Sequence, residues 1–206
     1  MEDFEKFKDL PASLQEYLKG NSRELKGRAA FKRGDCEWWK FTWPLHKEWY
    51  NRKKILCPYL ASFNRFMIDE NKEFLGLTDT ITLFENNQAE DLKYILGLLN
   101  SKLLTFRFKT IGKLKSGGIY EYFWNSVSKL VIKRIDFENK QEKEIHNKIV
   151  NYVESLIELA NENQKEINTI VKEQLERQIN SIDTEIDSLV YQLYELTPEE
   201  IKIVEG

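Results

Sequence analysis

The stretch LERQINSIDTEIDSLVYQL, residues 175–193, carries Leu175, Ile179, Ile182, Ile186, Leu189 and Leu193 at steps of four, three, four, three and four. That alternation lays one apolar stripe along a single helix face and is the seam of a coiled-coil-like pair. A partner for it lies just upstream, where Ile149, Val150, Val153, Leu156, Ile157 and Ala160 recur at helical spacing. Polar residues 161–164 separate the two runs, which predicts an antiparallel pair turning there, with one continuous long helix as the competing picture. Past the seam, Thr197-Pro198-Glu199-Glu200 is a capping box with proline at the first helical position, so a last short helix is expected.

Working outward, composition changes at residue 138. Residues 1–137 hold 24 Lys and Arg against 18 Asp and Glu, a net of +6, while residues 138–206 hold 7 against 16, a net of −9. Only the first part can neutralise phosphates. Residues 11–28 read as one or two short helices with a break at Gly20-Asn21. Strands are expected at 54–59, 63–68, 80–84, 119–124 and 130–135, the first confined to an edge or ended by Pro58. Apolar residues at threes and fours make 89–108 helical, with Gly97 or Asn100-Ser101 as possible interruptions. The expected fold class is α+β: a mixed domain over 1–137, then an antiparallel helical hairpin over 138–206.

The basic part is also the aromatic part. Between Lys19 and Lys54 stand eleven cations and four anions, and Trp38, Trp39, Trp43 and Trp49 fall within twelve positions. Indole suits either a core or a wet recognition surface, and core is the plainer assignment for most such rings. Cations interleaved with aromatics nevertheless point to a nucleic-acid face. A second basic segment, residues 109–118, adds three lysines and the pair Gly117-Gly118, whose backbone is free to approach a ligand. The candidate DNA contacts are Lys26, Arg28, Lys32, Arg33, Trp39, Lys40, Trp43, His46, Lys47, Arg52, Lys53, Lys54, Lys113 and Lys115. Most would anchor phosphates, with Arg28 and Arg33 as candidate readers of base edges.

Catalytic chemistry is scarce. There is no Gly-rich phosphate loop, HExxH, GxSxG or Asn-Pro-Pro-aromatic motif. His46 and His146 have no Ser or Cys pattern beside them, and His146 on an acidic helix reads as a solvated residue. Cys36 and Cys57 form neither a disulfide framework nor a zinc motif. No apolar run approaches the roughly 20 residues that span a bilayer, and the first residues lack a secretory pattern, so a cytoplasmic location is expected. No catalytic, cofactor or metal site is expected in this chain.

Several short motifs occur in a recognisable order: Leu25 and Arg28 in an opening helix, Trp38-Trp39, then Lys54-Ile55 with Pro58, and Arg65-Phe66 with Asp69. Leu96-Gly97, Leu99-Asn100-Ser101-Lys102, Gly117-Gly118 with Tyr120, and the tail from Ile186 to Ile201 follow. In this order the chain resembles, over nearly its whole length, the TaqI-like C-terminal specificity domain of type IIG and related restriction-modification adenine-N6 DNA methyltransferases. Val131 departs from the pattern, standing where such proteins usually have the proline of a Leu-Pro-Ile strand. The resemblance implies a sequence-specific DNA recognition module that directs a methyltransferase or endonuclease to its target. Its implied partners are double-stranded DNA and a methyltransferase domain or subunit, with or without a nuclease. S-adenosylmethionine and a divalent metal are implied for the parent enzyme, none for this chain, which would be a fragment or a separate specificity piece. The alternative is a non-catalytic interaction scaffold that oligomerises through its C-terminal helices.

Overall fold

Proline, asparagine and glycine punctuate the first fifty residues. Pro11 precedes α1 (Ala12–Gly20), and Asn21, whose side chain donates to the Tyr17 carbonyl at 2.8 Å, separates it from α2 (Ser22–Gly27). Extended Arg28 starts α3 (Ala29–Arg33), which stops at Gly34 with φ 81°. There the Gly34 and Asp35 amides return to the carbonyls of Phe31 and Ala30, satisfying the helix end as left-handed glycine caps do. Leu10, Leu18 and Trp39 form the small core under these helices, with Phe7, Leu14, Leu25 and Trp38 packed around it. One helical turn, α4 (Lys47–Tyr50), follows. The computed structural model describes residues 4–42, 47–74, 76 and 79–206, with only the backbone of Lys47 and Glu48. Contacts divide the chain into two compact units, Met1–Asn51 and Arg52–Gly206.

In the second unit, β1 (Lys54–Pro58), β2 (Leu60–Ala61), β3 (Met67–Asp69) and β4 (Thr80–Phe84) precede α5 (Leu92–Asn100) and α6 (Lys102–Ile111). β5 (Lys113–Leu114), β6 (Tyr120–Glu121) and the single turn α7 (Trp124–Val127) follow, and α8 (Lys140–Lys165), α9 (Thr169–Leu193) and α10 (Pro198–Glu205) end the chain. Two antiparallel three-stranded sheets result, in the orders β3-β1-β4 and β2-β6-β5. β1 is central, which is why its first four residues are all buried, and Pro58 ends it. Ser101 divides the predicted long helix: its backbone is extended, and its hydroxyl accepts from the Leu104 amide as the cap of α6.

The helical hairpin is part of the main core. Ile149, Val153 and Ile186 close on Gly97, where an added Cβ would stand 2.7 Å from Ile149 Cγ2. With no side chain at 97, α5 approaches the hairpin closely. Of the predicted seam, Leu175, Ile186 and Leu193 are buried, while Ile179, Ile182 and Leu189 are half-buried; fully buried Val190 belongs to the core as well. The turn falls at 166–168, later than expected. Residues 161–164 continue α8 without breaking it, and the break comes where Asn168 caps α9 through the Ile170 amide at 2.9 Å.

Of the predicted strands, 130–135 finds no ladder and 63–68 finds one only at Met67 and Ile68. Residues 130–135 are extended, but side chains take their backbone groups: Tyr94 donates to the Lys133 carbonyl (2.8 Å) and Tyr194 to that of Val131 (2.7 Å). The Lys133 and Ile135 amides donate to Tyr194 Oη and Glu90 Oε1, both at 3.0 Å. Residues 63–66 likewise lie outside β3, and the Asn100 amide pairs with both backbone groups of Phe66 at 2.8 and 2.9 Å. An extended propensity needs bonding partners, and here the partners are not strands.

Candidate nucleic-acid interface

The fourteen candidate contacts fall in different units and in very different surroundings. In the first unit, Lys26 and Lys32 are exposed. The Lys26 ammonium lies 5.3 Å from the Trp38 ring centre, and the half-buried Lys40 puts its own 5.2 Å from Trp39. Arg33 is exposed but engaged, its guanidinium donating twice to Asp35 at 2.7 and 3.0 Å. These are cations on an aromatic bed, as expected of the stretch.

Arg28 and Trp39 need correction. The Arg28 guanidinium donates to the carbonyls of Trp38 and Lys40 at 2.9 Å, Leu25 at 3.1 Å and Glu37 at 3.3 Å. Its Nε and Nη2 thereby tie α2 to the Trp38-Trp39 loop, so the whole planar fork is not available to a base edge. Trp39 is 4% exposed and meets Phe7 edge-on at 5.8 Å, so it is core. Trp43 and His46 lie outside the described residues, and Lys47 is described by its backbone alone.

In the second unit, Lys54 also needs correction. It is completely buried and its ammonium meets Asp69 Oδ2 at 2.5 Å, so it has no surface to offer DNA. Burial by itself would raise the Asp69 carboxyl, but Lys54 and the amides of Phe74 and Glu73 together hold it below the ordinary aspartate value. Exposed Arg52 donates to the Glu85 carbonyl at 2.5 Å and lies over Phe84, and Lys53 stands 3.7 Å from Glu70. Lys113 and Lys115 flank Glu121 at 3.5 and 3.0 Å and remain largely exposed. His146, expected to be solvated, is buried: Nε2 accepts from the Asp91 amide at 3.2 Å, and the ring lies 4.9 Å from Tyr94.

The second basic segment extends beyond the 109–118 stretch marked in the sequence. From Lys102 to Lys133 there are seven cations and one anion, Glu121, a more one-sided ratio than the eleven to four of residues 19–54. Among the described residues, Arg107, Lys109 and Lys129 have no ion-pair partner and are exposed. Arg107 and Lys129 are not among the candidates, and a charge count over a sliding window finds them. Also among the described residues, no group of three His, Cys, Asp or Glu side chains is arranged to hold a metal, and no helix is long and apolar enough to cross a membrane.

Comparison with known proteins places this geometry in context. The TaqI-like C-terminal specificity domain family matches residues 12–132, from the first turn of α1 through both sheets. The Type II methyltransferase M.HincII of Haemophilus influenzae is 32% identical over 108 residues, which are 50% of this chain and 21% of that protein. The Type II restriction enzyme and methyltransferase RM.Eco57I of Escherichia coli is 26% identical over 148 residues, 70% of this chain and 15% of that protein. The chain therefore spans about a fifth or less of the length of these relatives. With a family match over more than half of its residues, the chain belongs to the TaqI-like C-terminal specificity domains.

Proposed function

We propose that this chain is the sequence-specific DNA recognition part of a restriction-modification enzyme and directs a methyltransferase, with or without a nuclease, to its target site. Membership of the specificity-domain family carries the reading. The exposed cations Lys26, Lys32, Lys53, Lys113 and Lys115 supply what a phosphate-anchored duplex requires. Phosphate contacts of this kind set register, and base contacts from neighbouring side chains then discriminate sequence.

The catalytic chemistry belongs elsewhere in the assembly. A methyltransferase part would bind S-adenosylmethionine and a nuclease part its divalent metal; the described residues of this chain have no cluster suited to the metal. On this reading the chain alone transfers no methyl group and cuts no DNA.

The test is selection of duplexes from a random pool by the purified chain and by an enzyme containing it, followed by sequencing and titration at two salt concentrations. Enrichment of one short motif, with log Kd rising steeply against log salt, is the expected result. Failure of both proteins to retain any duplex, together with oligomerisation through the C-terminal helices, would establish the scaffold alternative instead.

A further inference from the structure

The alternation of the second sheet sorts its residues cleanly. Tyr120 and Tyr122 turn toward the core, where Tyr122 stacks on Phe108 with ring centres 4.0 Å apart. Ile119, Glu121 and Phe123 therefore share the outer face. Cross-strand pairing adds Leu60 and Lys113, both opposite Glu121, and the Lys115 amide bonds to the Ile119 carbonyl at 2.7 Å. An open face of an antiparallel sheet is ordinarily polar. This one exposes Leu60, Ile119 and Phe123, and Trp124 beside it is 66% exposed, a larger fraction than for any of the four other large exposed aromatics of this unit.

The same face is built for an anion. Its single carboxylate, Glu121, also accepts from Tyr59 Oη, and the side chains of Lys113 and Lys115 close over it while keeping 71% and 41% of their own surface in water. Glu121 thus acts as a clamp that orients two ammonium groups, lowering the entropy lost when they settle on phosphates. Between β5 and β6 the turn passes through Gly117 and Gly118 at φ 71° and 74°, with nothing within 4 Å of either Cβ position, so the ribbon tip is narrow and its backbone open. A two-stranded ribbon fits the major groove, and apolar side chains beside it meet thymine methyls and sugars.

We propose that the outer face of the β2-β6-β5 sheet, with Trp124 at its rim, is the duplex-DNA contact surface of this chain, the β5–β6 ribbon entering the groove. Duplex DNA is chosen over a protein partner because the face carries two lysines to one carboxylate, and the same segment adds Arg107, Lys109 and Lys129, exposed and without an ion-pair partner among the described residues. The inference rests on the recognition function proposed above and assigns it to residues.

The test uses the full chain and fluorescence anisotropy with labelled duplex, comparing wild type with Trp124→Ala, Phe123→Ala, the pair Lys113→Gln/Lys115→Gln and, as a control on the acidic hairpin, Lys172→Gln. Far-ultraviolet circular dichroism and the denaturation midpoint establish that each variant is folded. The lysine pair should weaken binding and reduce the salt slope by about 1.8, two phosphate contacts at about 0.9 each. Trp124→Ala should weaken binding at least tenfold with the slope unchanged, and Lys172→Gln should do neither. Wild-type binding with all variants unaffected overturns this surface and leaves the recognition function standing. A wild type that binds no duplex overturns both. A concentration-dependent oligomer lost in Trp124→Ala, with DNA affinity intact, gives the face to a second copy and also overturns the proposal.

Discussion

Lys54 and Asp69 stand opposite one another across β1 and β3, with ammonium and carboxylate 2.5 Å apart and both side chains out of contact with water. The aspartate also accepts from the amides of Glu73 and Phe74, so one buried charge pair holds both a sheet register and the loop that follows it. Removing either member strands the other in a medium that solvates it poorly. Lys54→Met and Asp69→Asn should each cost about 3–5 kcal/mol in urea unfolding, and the double variant less than their sum. Additive costs would show that the two charges do not depend on each other.

The pair also sets an acid limit. The Asp69 carboxyl titrates below its ordinary value of 3.8 in the folded chain, so its stabilisation is complete above that value. It is lost as pH falls through the lower folded value. The denaturation midpoint of wild type should therefore drop below about pH 4 by more than that of Asp69→Asn. Parallel acid profiles would assign the loss to other carboxylates.

Gly97 tests whether the hairpin is bound into the core. Alanine gains about 1 kcal/mol of helix propensity over glycine. Its Cβ at 97, however, would meet Ile149 Cγ2 at 2.7 Å and Val153 Cγ2 at 3.1 Å, both on buried side chains. Overpacking of that kind costs about 1–3 kcal/mol and should win. Gly97→Ala should lower the unfolding midpoint, and the same change on an Ile149→Ala background should be neutral or stabilising. A stabilised single variant would mean that α5 and α8 part easily.

Much of the frame was legible in the sequence because it is written in local chemistry. The Thr197 capping box, the α1–α2 break at Asn21 and the 80–84 strand each depend on residues a few positions apart, and each forms where the pattern put it. What escaped was supplied by distant partners. Nothing near residues 130–135 announces that Tyr94, Tyr194 and Glu90 will take its backbone groups, and nothing near Lys54 announces Asp69. The recognisable motifs prove to be joints: Asn100 holds Phe66, Asp187 accepts from the Lys102 amide at 2.8 Å, and Arg28 holds the Trp38 loop. Several residues that mark the family are thus residues that assemble it, whereas Gly117 and Gly118 lie at the tip of the proposed ribbon.

Arg28 separates those roles by experiment. Lys keeps the charge but cannot present a planar fork to carbonyls on several residues. In Arg28→Lys, amides of residues 29–40 should lose hydrogen-exchange protection while those of α5 and α8 keep theirs. Any loss of DNA affinity should be the same on cognate and random duplexes, as for damage to a supporting loop. A loss confined to the cognate duplex, with protection intact, would restore Arg28 as a base reader.

The two thiols report on the two units separately. Burial pushes the Cys57 thiol up to about 12, against a weaker opposing hydrogen bond with the Ile81 backbone, and its side chain is 1% exposed within β1. At pH 8 it is protonated as well as inaccessible, and only the thiolate attacks a disulfide reagent. Cys36, in the loop after α3, is partly exposed. An aromatic disulfide reagent should therefore titrate one thiol in the native chain at once, and the second at a rate set by opening of β1 in its sheet. Because β1 lies between β3 and β4, that opening requires most of the second unit to unfold. The slow rate should rise with urea along the same slope as the global transition and should rise further in Asp69→Asn. Two thiols reacting together at low urea would show that β1 opens locally, and the central place given to the first sheet would be wrong.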